Sequence, residues 1–482
     1  MYIGTQYYSQ ASPYSMLDKH QIEQIHYASM RILAEKGLVL QHPEAVKMLK
    51  KAGATVDGER VFLPRGLVEW ALQQAPSGFA LYDRNGDLAV RAEDKNVYYG
   101  SGSDTMVLFD YETRAAKPWS KKNVQDAVRL LDALENFDFT MSMGLISDVP
   151  DEVNTQEQYA AMIRNTIKPH VVVCNNKEDL EDIFNMYIAV RGGKEELRRK
   201  PYAAVYNEPT SPLLCTYTAI DKLLLCADYG MPSNFATGGL AGATTPITAA
   251  GTILLSNAEC LFGLTIQQVY RPGAPFLYGY CNSPIEMRTV QSVYAAPLAL
   301  QVQVGMCDMA HYYQLPSWGE AGDSVSKVCD EQSAMEAMQL MQVSAMSGCS
   351  LIHDGGYMNF GLGFSLEHLM VCNEIIGRIK EFMKGVVVNE ETLAMDDILK
   401  VKVGGDFLRD KLTRSHMRKG WTGDLSDMNA YSTWFEAGAT TRGERAHEKV
   451  KKILAEYQPA PLDPQADAAI EAILQAAWAK LK

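Results

Sequence analysis

Short apolar runs alternate with longer amphipathic stretches between residues 96 and 384. The runs have the length and the β-branched and aromatic content of buried strands, whereas the stretches carry apolar residues at helical spacing. Eight strand–helix pairs follow one another. Such alternation is typical of a parallel α/β sheet, and eight pairs favour a closed (β/α)8 TIM barrel over an open, doubly wound sheet. The predicted strands are 97–100, 139–143, 170–173, 202–206, 233–236, 275–278, 312–317 and 349–353. The predicted helices are 121–135, 156–165, 177–190, 213–228, 250–269, 290–309, 327–346 and 366–383.

Two further regions flank the predicted barrel. The N-terminal region predicts helices over 18–36, 42–52 and 64–75 and then a hairpin with an Asn85-Gly86 turn. The C-terminal region predicts a helical extension, whose apolar residues indicate packing against the barrel or a second subunit, and hence a homo-oligomer. We therefore expect an N-terminal helical and hairpin cap (1–95), the barrel (96–384) and a C-terminal helical extension (385–482).

The composition and charge argue against several classes of function. A formal net charge of −13 is unlike that of a nucleic-acid-binding protein, which usually carries a basic patch. Nine cysteines without a C-x-x-C pair are typical of reduced thiols in an intracellular protein. The opening MYIGTQYYSQ lacks the features of a signal peptide, and no run of about 18 apolar residues predicts a membrane span. We expect a cytoplasmic protein with no nucleic-acid or membrane partner.

Aromatic and acidic residues gather immediately after the predicted strands. In a (β/α)8 barrel the carboxyl ends of the strands form the ligand-binding face. The clearest case is the stretch LIHDGGYMNFGLGFSLE, where an apolar strand ends at His353-Asp354 and an aromatic, glycine-rich loop follows. The substrate-binding candidates are Tyr99, Ser101, Tyr206, Glu208, Tyr280, Asn282, Trp318, His353, Tyr357 and Phe360. No catalytic residue is firmly assigned, and the candidates are His353, Asp104 and Glu320.

Cations are scarce in the same loops, where Arg288 and Lys327 are the main ones. Many aromatic rings and several carboxylates suit a quaternary ammonium group, which donates no hydrogen bond and is held by aromatic faces and diffuse negative charge. A single tyrosine is more often structural, and a single histidine after a strand is more often a satisfied interior residue. The clustering at several strand ends is what favours a ligand site.

Other chemistries have weaker signals in the sequence. No H-E-x-x-H or C-x-x-C pattern appears, so no metal site is predicted. The absence of G-x-S-x-G argues against an α/β-hydrolase. Residues 239–243 fit a tight helix–strand junction better than a phosphate nest.

Three stretches together resemble the trimethylamine methyltransferase superfamily. They are Leu351 to Tyr357 (LIHDGGY) with the Ser365-Leu366-Glu367 that follows, the first-strand loop Tyr99 to Asp104 (YGSGSD), and the N-terminal helices with ILAEKG at Ile32 to Gly37. The resemblance extends over essentially the whole chain. It implies a (β/α)8 barrel that moves a methyl group from a methylamine or quaternary amine to the cob(I)alamin of a separate corrinoid protein, with no metal of its own.

The chain contains only the twenty standard residues, whereas the archaeal trimethylamine members of that superfamily carry pyrrolysine. It therefore resembles the branch without pyrrolysine, whose members demethylate glycine betaine, proline betaine, carnitine or γ-butyrobetaine. Trimethylamine or another methylamine is the alternative substrate. Two alternative functions also stay open: a barrel methyltransferase that uses zinc with a folate or thiol substrate, and a betaine-binding protein without turnover. The loop at 323–327 is the expected counterpart of the pyrrolysine position. For the carboxylate of a betaine, the resemblance leaves His353, Asn282, Arg288 or a backbone nest as candidate partners.

Overall fold

The computed structural model describes residues 14–417 and 420–481. Seven parallel strands form one curled sheet, and the segment 139–140 closes it, because Phe139 pairs with Gly100 and Thr140 with His170. The prediction of a (β/α)8 barrel is therefore confirmed, with two bridges in place of a full second strand. In order around the sheet, the strands are Tyr98–Ser101, Leu351–Gly355, Ser317–Glu320, Phe276–Tyr280, Ser233–Thr237, Ala203–Val205 and His170–Val172.

Two predicted strands are wrong in extent. The predicted strand 139–143 ends early, because the Met141 amide donates to the Ser101 side chain and Met143 adopts a φ of +62°. The predicted strand 312–317 begins within a helix, and the strand itself is Ser317–Glu320. The hydroxyl of Tyr313 lies 3.0 Å from both Asn257 Nδ2 and His26 Nδ1, and these contacts hold the helix end in place despite the strand propensity of its tyrosines.

One helix follows each barrel position and covers the outside of the sheet. These helices are Lys121–Ala133, Asp151–Asn165, Lys177–Arg191, Tyr217–Tyr229, Ala249–Tyr270, Pro297–Tyr312, Glu331–Ser347 and Leu366–Phe382. Ala249–Tyr270 is, within the described residues, the one helix long and apolar enough to cross a membrane, which the sequence alone did not predict. Because 72% of its most apolar window is buried in the fold, it has the burial expected of a core helix.

The N-terminal region covers one side and the bottom of the barrel. Its helices are Lys19–Arg31, which continues as a π-helical turn Ile32–Lys36, then Pro43–Lys51 and Arg65–Gln74. Three short strands, Leu38–Leu40, Thr55–Asp57 and Arg60–Phe62, join Leu214–Cys215 in a four-stranded sheet. The predicted hairpin is confirmed as Phe79–Tyr82 paired with Leu88–Ala92. Leu81, Val90 and Ala92 of the hairpin pack among the inward-facing barrel residues, so the hairpin closes the amino-terminal end of the barrel.

Two small sheets lie in the loops at the opposite end. One joins the loops after the first and eighth barrel positions, and the other joins the loops after the fifth and sixth. The first contains Val107–Phe109, Ala116–Pro118, Tyr357–Met358 and Gly363–Phe364. The second contains Leu240–Ala241, Ser283–Glu286 and Gln291–Ser292. These sheets hold the rim of the barrel mouth, by which we mean the open carboxyl end of the strands.

The C-terminal region contains two long helices that pack on the barrel and several short ones that bury no side chain. Arg442–Glu456 lies against Leu366–Phe382, and Pro464–Ala479 lies against the helices that follow the second and third barrel positions. A six-residue helix, Lys194–Arg199, follows the third barrel helix. The short C-terminal helices are Glu390–Leu393, Met395–Lys400, Lys411–His416 and Tyr431–Glu436. The domain limits at 95 and 384 stay predictions.

Candidate functional site

A packed apolar layer forms the floor of the barrel mouth. Side chains of a strand alternate between the two faces of the sheet, so every second residue points into the barrel. The inward layer consists of Tyr98, Phe139, Met141, Val171, Ala204, Ala236, Leu277, Trp318 and Leu351. Val173, Tyr206 and Cys281 pack against this layer and are only partly buried, so they mark the level at which the packed interior gives way to the mouth.

A stacked pair lies on this floor. The rings of Trp318 and His353 are 4.3 Å apart at an angle of 20°, and both side chains are buried. His353 Nδ1 is hydrogen-bonded to the Asp354 carboxyl group, and its Nε2 lies 3.5 Å from Cys281 Sγ. Three adjacent strands therefore supply one contiguous group. Both nitrogens of His353 already have protein neighbours, which fixes the orientation of the ring.

A β-bulge brings His353 and Asp354 together. The register of the eighth strand against the first shifts between Ile352 and Gly355, and Asp354 adopts a φ of +77°. Consecutive residues of a regular strand point to opposite faces, whereas a bulge re-aims a side chain. A left-handed backbone at a residue other than glycine costs about 1–3 kcal/mol. The fold thus places a strained residue at the point where the eighth strand enters the mouth.

Tyr206 and Glu208 form a second group on the opposite wall. Tyr206 donates a hydrogen bond of 3.0 Å to Glu208 Oε2, and its ring lies 6.0 Å from that of Trp318. Glu208 is exposed at the mouth, yet the surrounding walls desolvate it and raise the pKa of its carboxyl group. An aromatic face and a carboxylate are therefore both accessible from the open end.

Three buried carboxyl groups, Glu320, Asp323 and Asp354, lie beside the stacked pair. Burial raises the pKa of each one, and the charge of Asp354 raises the pKa values of Glu320 and Asp323 further. The pKa of Asp323 rises to about 8, and that of Glu320 lies well above its usual range. Neighbouring carboxyl groups that resist ionisation are stabilised as anions by a nearby cation. This acid cluster therefore favours a positively charged ligand.

Asp104, Tyr357 and Phe360 lie in the rim loops. The Asp104 carboxylate accepts a hydrogen bond from Ser142 Oγ, and burial raises its pKa. Tyr357 OH accepts a hydrogen bond of 2.6 Å from the Ser103 amide and donates one to the Ser103 carbonyl, so its ring is fixed. The ring of Phe360 has Lys327 Nζ at 4.3 Å from its centre, and that face is already covered by a cation of the chain itself.

Four sequence candidates lie away from the mouth. Tyr99 faces the outer helices, where Lys380 Nζ lies 5.7 Å from its ring centre, and Tyr280 packs in the same outer core. Ser101 Oγ accepts a hydrogen bond from the Met141 amide, and Asn282 Nδ2 donates one of 3.0 Å to Ser256 Oγ. These side chains hold the barrel wall together and are not part of the candidate site. Arg288 is exposed on the rim and pairs with Glu286.

Cys281 was not among the site residues predicted from the sequence. It follows Tyr280 and points inward. Alternation counted from the inward Leu277 identifies Cys281 and not Tyr280 as the luminal residue. Tyr294 was also not predicted from the sequence. It lies near the acids, because the charges of Glu320 and Asp323 add to the rise that burial causes in its pKa. No signal in the sequence placed Tyr294 near these acids. Within the described ranges, no group of three or more His, Cys, Asp or Glu side chains has the geometry of a metal site.

The fold and the site are those of a (β/α)8 barrel enzyme, in which small ligands bind at the carboxyl ends of the strands. Residues 4–480 match the family model described as trimethylamine methyltransferase (MTTB), and the chain belongs to this family of methyltransferases. It is 30% identical to a glycine betaine methyltransferase of Desulfitobacterium hafniense over 464 residues, which cover 96% of both chains. It is 31% identical to the trimethylamine methyltransferase MttB of Methanosarcina barkeri over 453 residues, 92% of this chain and 91% of that protein.

A solved structure supports the architecture. The monomethylamine methyltransferase MtmB of Methanosarcina barkeri superposes with a TM-score of 0.55 at 14% identity, and the match covers 92% of this chain and 88% of that one. At this level of identity the likeness concerns the fold alone. The resemblance that the sequence motifs predicted is confirmed by the family match.

Proposed function

We propose that this protein transfers a methyl group from a quaternary amine, such as a betaine, to the Co(I) corrinoid of a separate protein. The observation that carries the proposal is the composition of the mouth, in which the Tyr206 ring and the stacked His353 lie among the carboxyl groups of Glu208, Glu320 and Asp354. Such a site recognises a cation that cannot donate hydrogen bonds. Membership of the methyltransferase family and the likeness to a glycine betaine methyltransferase support it.

The half-buried aromatic residues have different roles from the fully buried one. Tyr206, Tyr294 and Tyr357 are accessible from the mouth, whereas Trp318 is fully buried beneath His353. Trp318 therefore supports the site and does not contact the ligand. A cation over one aromatic face gains on the order of 0.5–2 kcal/mol, so several faces together are needed for useful affinity. The acid cluster supplies the remaining charge complementarity.

The reaction requires the substrate to be positioned and requires no proton transfer. A Co(I) corrinoid supplies a strong nucleophile for the methyl carbon. Because the substrate nitrogen is already positively charged, the amine leaves in its neutral form without a general acid. The task of the chain is to orient one methyl group toward the open end and to keep water away from the reacting carbon. The hairpin that closes the other end of the barrel leaves the mouth as the direction of approach.

The carboxylate of a betaine requires a polar partner near the cation site. Since Asn282 is engaged in the wall and Arg288 is exposed on the rim, His353 is the remaining one of the three side chains that the sequence suggested. We propose that His353 holds the substrate carboxylate, whereas the carboxyl groups of Glu320, Asp323 and Asp354 complement the cationic nitrogen.

A methyl-transfer assay tests the function. The full chain is mixed with cob(I)alamin and with glycine betaine, proline betaine, carnitine, γ-butyrobetaine, choline or trimethylamine, and methylcobalamin formation is followed by absorbance. We expect turnover with at least one quaternary amine, and a faster rate when a cognate corrinoid protein carries the cobalamin. Turnover with trimethylamine alone would replace the substrate class. Tight binding of a betaine without methyl transfer under either condition would show a binding protein and overturn the proposal.

A further inference from the structure

One segment of the chain contributes no buried residue to the core. Residues 385–417, which we call the arm, leave the barrel after the helix Leu366–Phe382, and no residue of the arm is buried. Its three short helices bury no side chain. The chain is back on the barrel at Trp421, whose ring centre lies 5.0 Å from the Arg378 guanidinium, and the Leu425 amide donates a hydrogen bond to the buried Glu374 carboxylate. The arm is thus anchored at both ends and open to water between them.

The arm exposes an unusual amount of apolar surface. Eleven of the 32 exposed large apolar side chains in the described part of the chain lie in these 33 residues. They are Val386, Val387, Val388, Leu393, Met395, Ile398, Leu399, Val403, Phe407, Leu408 and Met417. At roughly 100 Å² each they present on the order of 1,000 Å², more than the ~800 Å² that each partner contributes to a standard stable interface.

The charges of the arm are separated along its length. Residues 385–399 contain four acidic and no basic residues, whereas residues 400–417 contain five basic and two acidic ones. Glu390, Asp396, Lys402 and Arg409 form no ion pair with any described residue within 4 Å. Two ion pairs join the halves: Lys400 Nζ lies 3.6 Å from Asp397, and His416 lies 4.0 Å from Glu391. Two of the four acidic residues in the first half, and four of the five Lys and Arg residues in the second, have no ion pair with a described residue and are available to a partner.

We propose that the arm is the interface with a second copy of this chain, arranged about a two-fold axis. In such an interface the same patch meets itself, so the acidic half of one arm lies against the basic half of the other. This arrangement pairs the separated charges and covers the apolar side chains at the same time. A permanent partner also suits the apolar surface better than a corrinoid protein does, because transient interfaces are smaller and more polar.

The molar mass in solution tests the interface. Light scattering after size exclusion of the full chain at micromolar concentration is expected to give twice the chain mass of 53.4 kDa. The double variant Leu399→Glu, Val403→Glu is expected to give a single chain mass and an unchanged far-ultraviolet dichroism spectrum. Met335→Glu is the control, since Met335 is 62% exposed but lies on a barrel helix, and it is expected to keep the dimer mass.

Charge exchange tests the two-fold arrangement itself. The variant Glu390→Lys, Asp396→Lys and the variant Lys402→Glu, Arg409→Glu each place like charges opposite one another, so each alone is expected to be monomeric. An equimolar mixture of the two is expected to recover the dimer mass, because every acidic half again meets a basic half. A monomeric wild-type chain, or arm variants that keep the wild-type mass, would overturn the proposal. A monomer that binds a corrinoid protein through the arm would also overturn it and identify the other occupant.

Discussion

The two ends of the barrel differ in the side chains that fill them. At the amino-terminal end the hairpin inserts Leu81, Val90 and Ala92 among inward-facing apolar side chains, and the guanidinium of its buried Arg84 donates hydrogen bonds to backbone carbonyl groups. At the carboxyl end the same barrel carries Glu320, Asp323, Asp354 and a strained backbone at residue 354. Burial of apolar side chains stabilises the first end, whereas the desolvated carboxyl groups and the strained backbone of the second end cost stability. Stability and ligand binding are thus assigned to different ends of one sheet.

The largest expected effect is on stability, at the hairpin end. Leu81→Ala removes a fully buried side chain, and the cavity that remains is expected to lower the free energy of unfolding by about 2–5 kcal/mol. Chemical denaturation measures this change. KM for the substrate is expected to stay within about twofold, since Leu81 lies at the end of the barrel opposite the mouth. Leu88→Ala on the same hairpin is the control, because Leu88 is 42% exposed and its loss is expected to cost less than about 0.5 kcal/mol. A shift of KM without loss of stability would contradict the division between the two ends.

The next effect concerns the mouth. Glu320→Lys places an ammonium group among Asp323 and Asp354, where it occupies the position that we assign to the substrate cation. We expect kcat/KM for a quaternary amine to fall at least a hundredfold, about 2.7 kcal/mol. Because the new charge pairs with two carboxyl groups, the melting temperature is expected to stay the same or to rise. Glu320→Gln keeps the size and removes the charge, and a smaller loss is expected. Full activity of Glu320→Lys would remove the acid cluster from the site.

A smaller effect separates the two parts of a betaine. His353→Ala removes the proposed carboxylate partner, and KM for a carboxylate-bearing substrate is expected to rise at least tenfold, about 1.4 kcal/mol. KM for choline, which lacks the carboxylate, is expected to change much less. Steady-state kinetics on the two substrates measures the difference. Near-wild-type kinetics with a betaine would remove His353 from the role of anchor, and equal losses on both substrates would make it a support of the cation site.

Strand and helix alternation was sufficient to predict the barrel, and the Asn85-Gly86 turn was sufficient to predict the hairpin. The alternation was not sufficient to predict which residues face inward, because facing depends on the exact strand register. Tyr280 and Cys281 are neighbours in sequence, yet Tyr280 lies outside the wall and Cys281 lies beside His353. The bulge at Asp354 changes the alternation again, and no local pattern marks it. The rim sheets join loops distant in sequence, and such pairings leave no periodic signal.

The acid cluster also predicts how ligand binding depends on pH. The pKa of Asp323 is about 8 in the free protein, and a bound cation lowers it because the carboxylate form is then favoured. Binding of choline below pH 8 therefore releases protons, and its Kd is expected to fall severalfold between pH 6 and about pH 8 and then to level off. The stability of the ligand-free protein depends on pH in the opposite direction. Because folding raises the pKa of Asp323, the folded state holds this proton more tightly than the unfolded state does, and the free energy of unfolding falls as the pH rises toward that pKa. Titration calorimetry in two buffers of different ionisation enthalpy counts the released protons. Asp323→Asn is expected to reduce the count, and an unchanged count would show that the protons come from Glu320 and Asp354 alone.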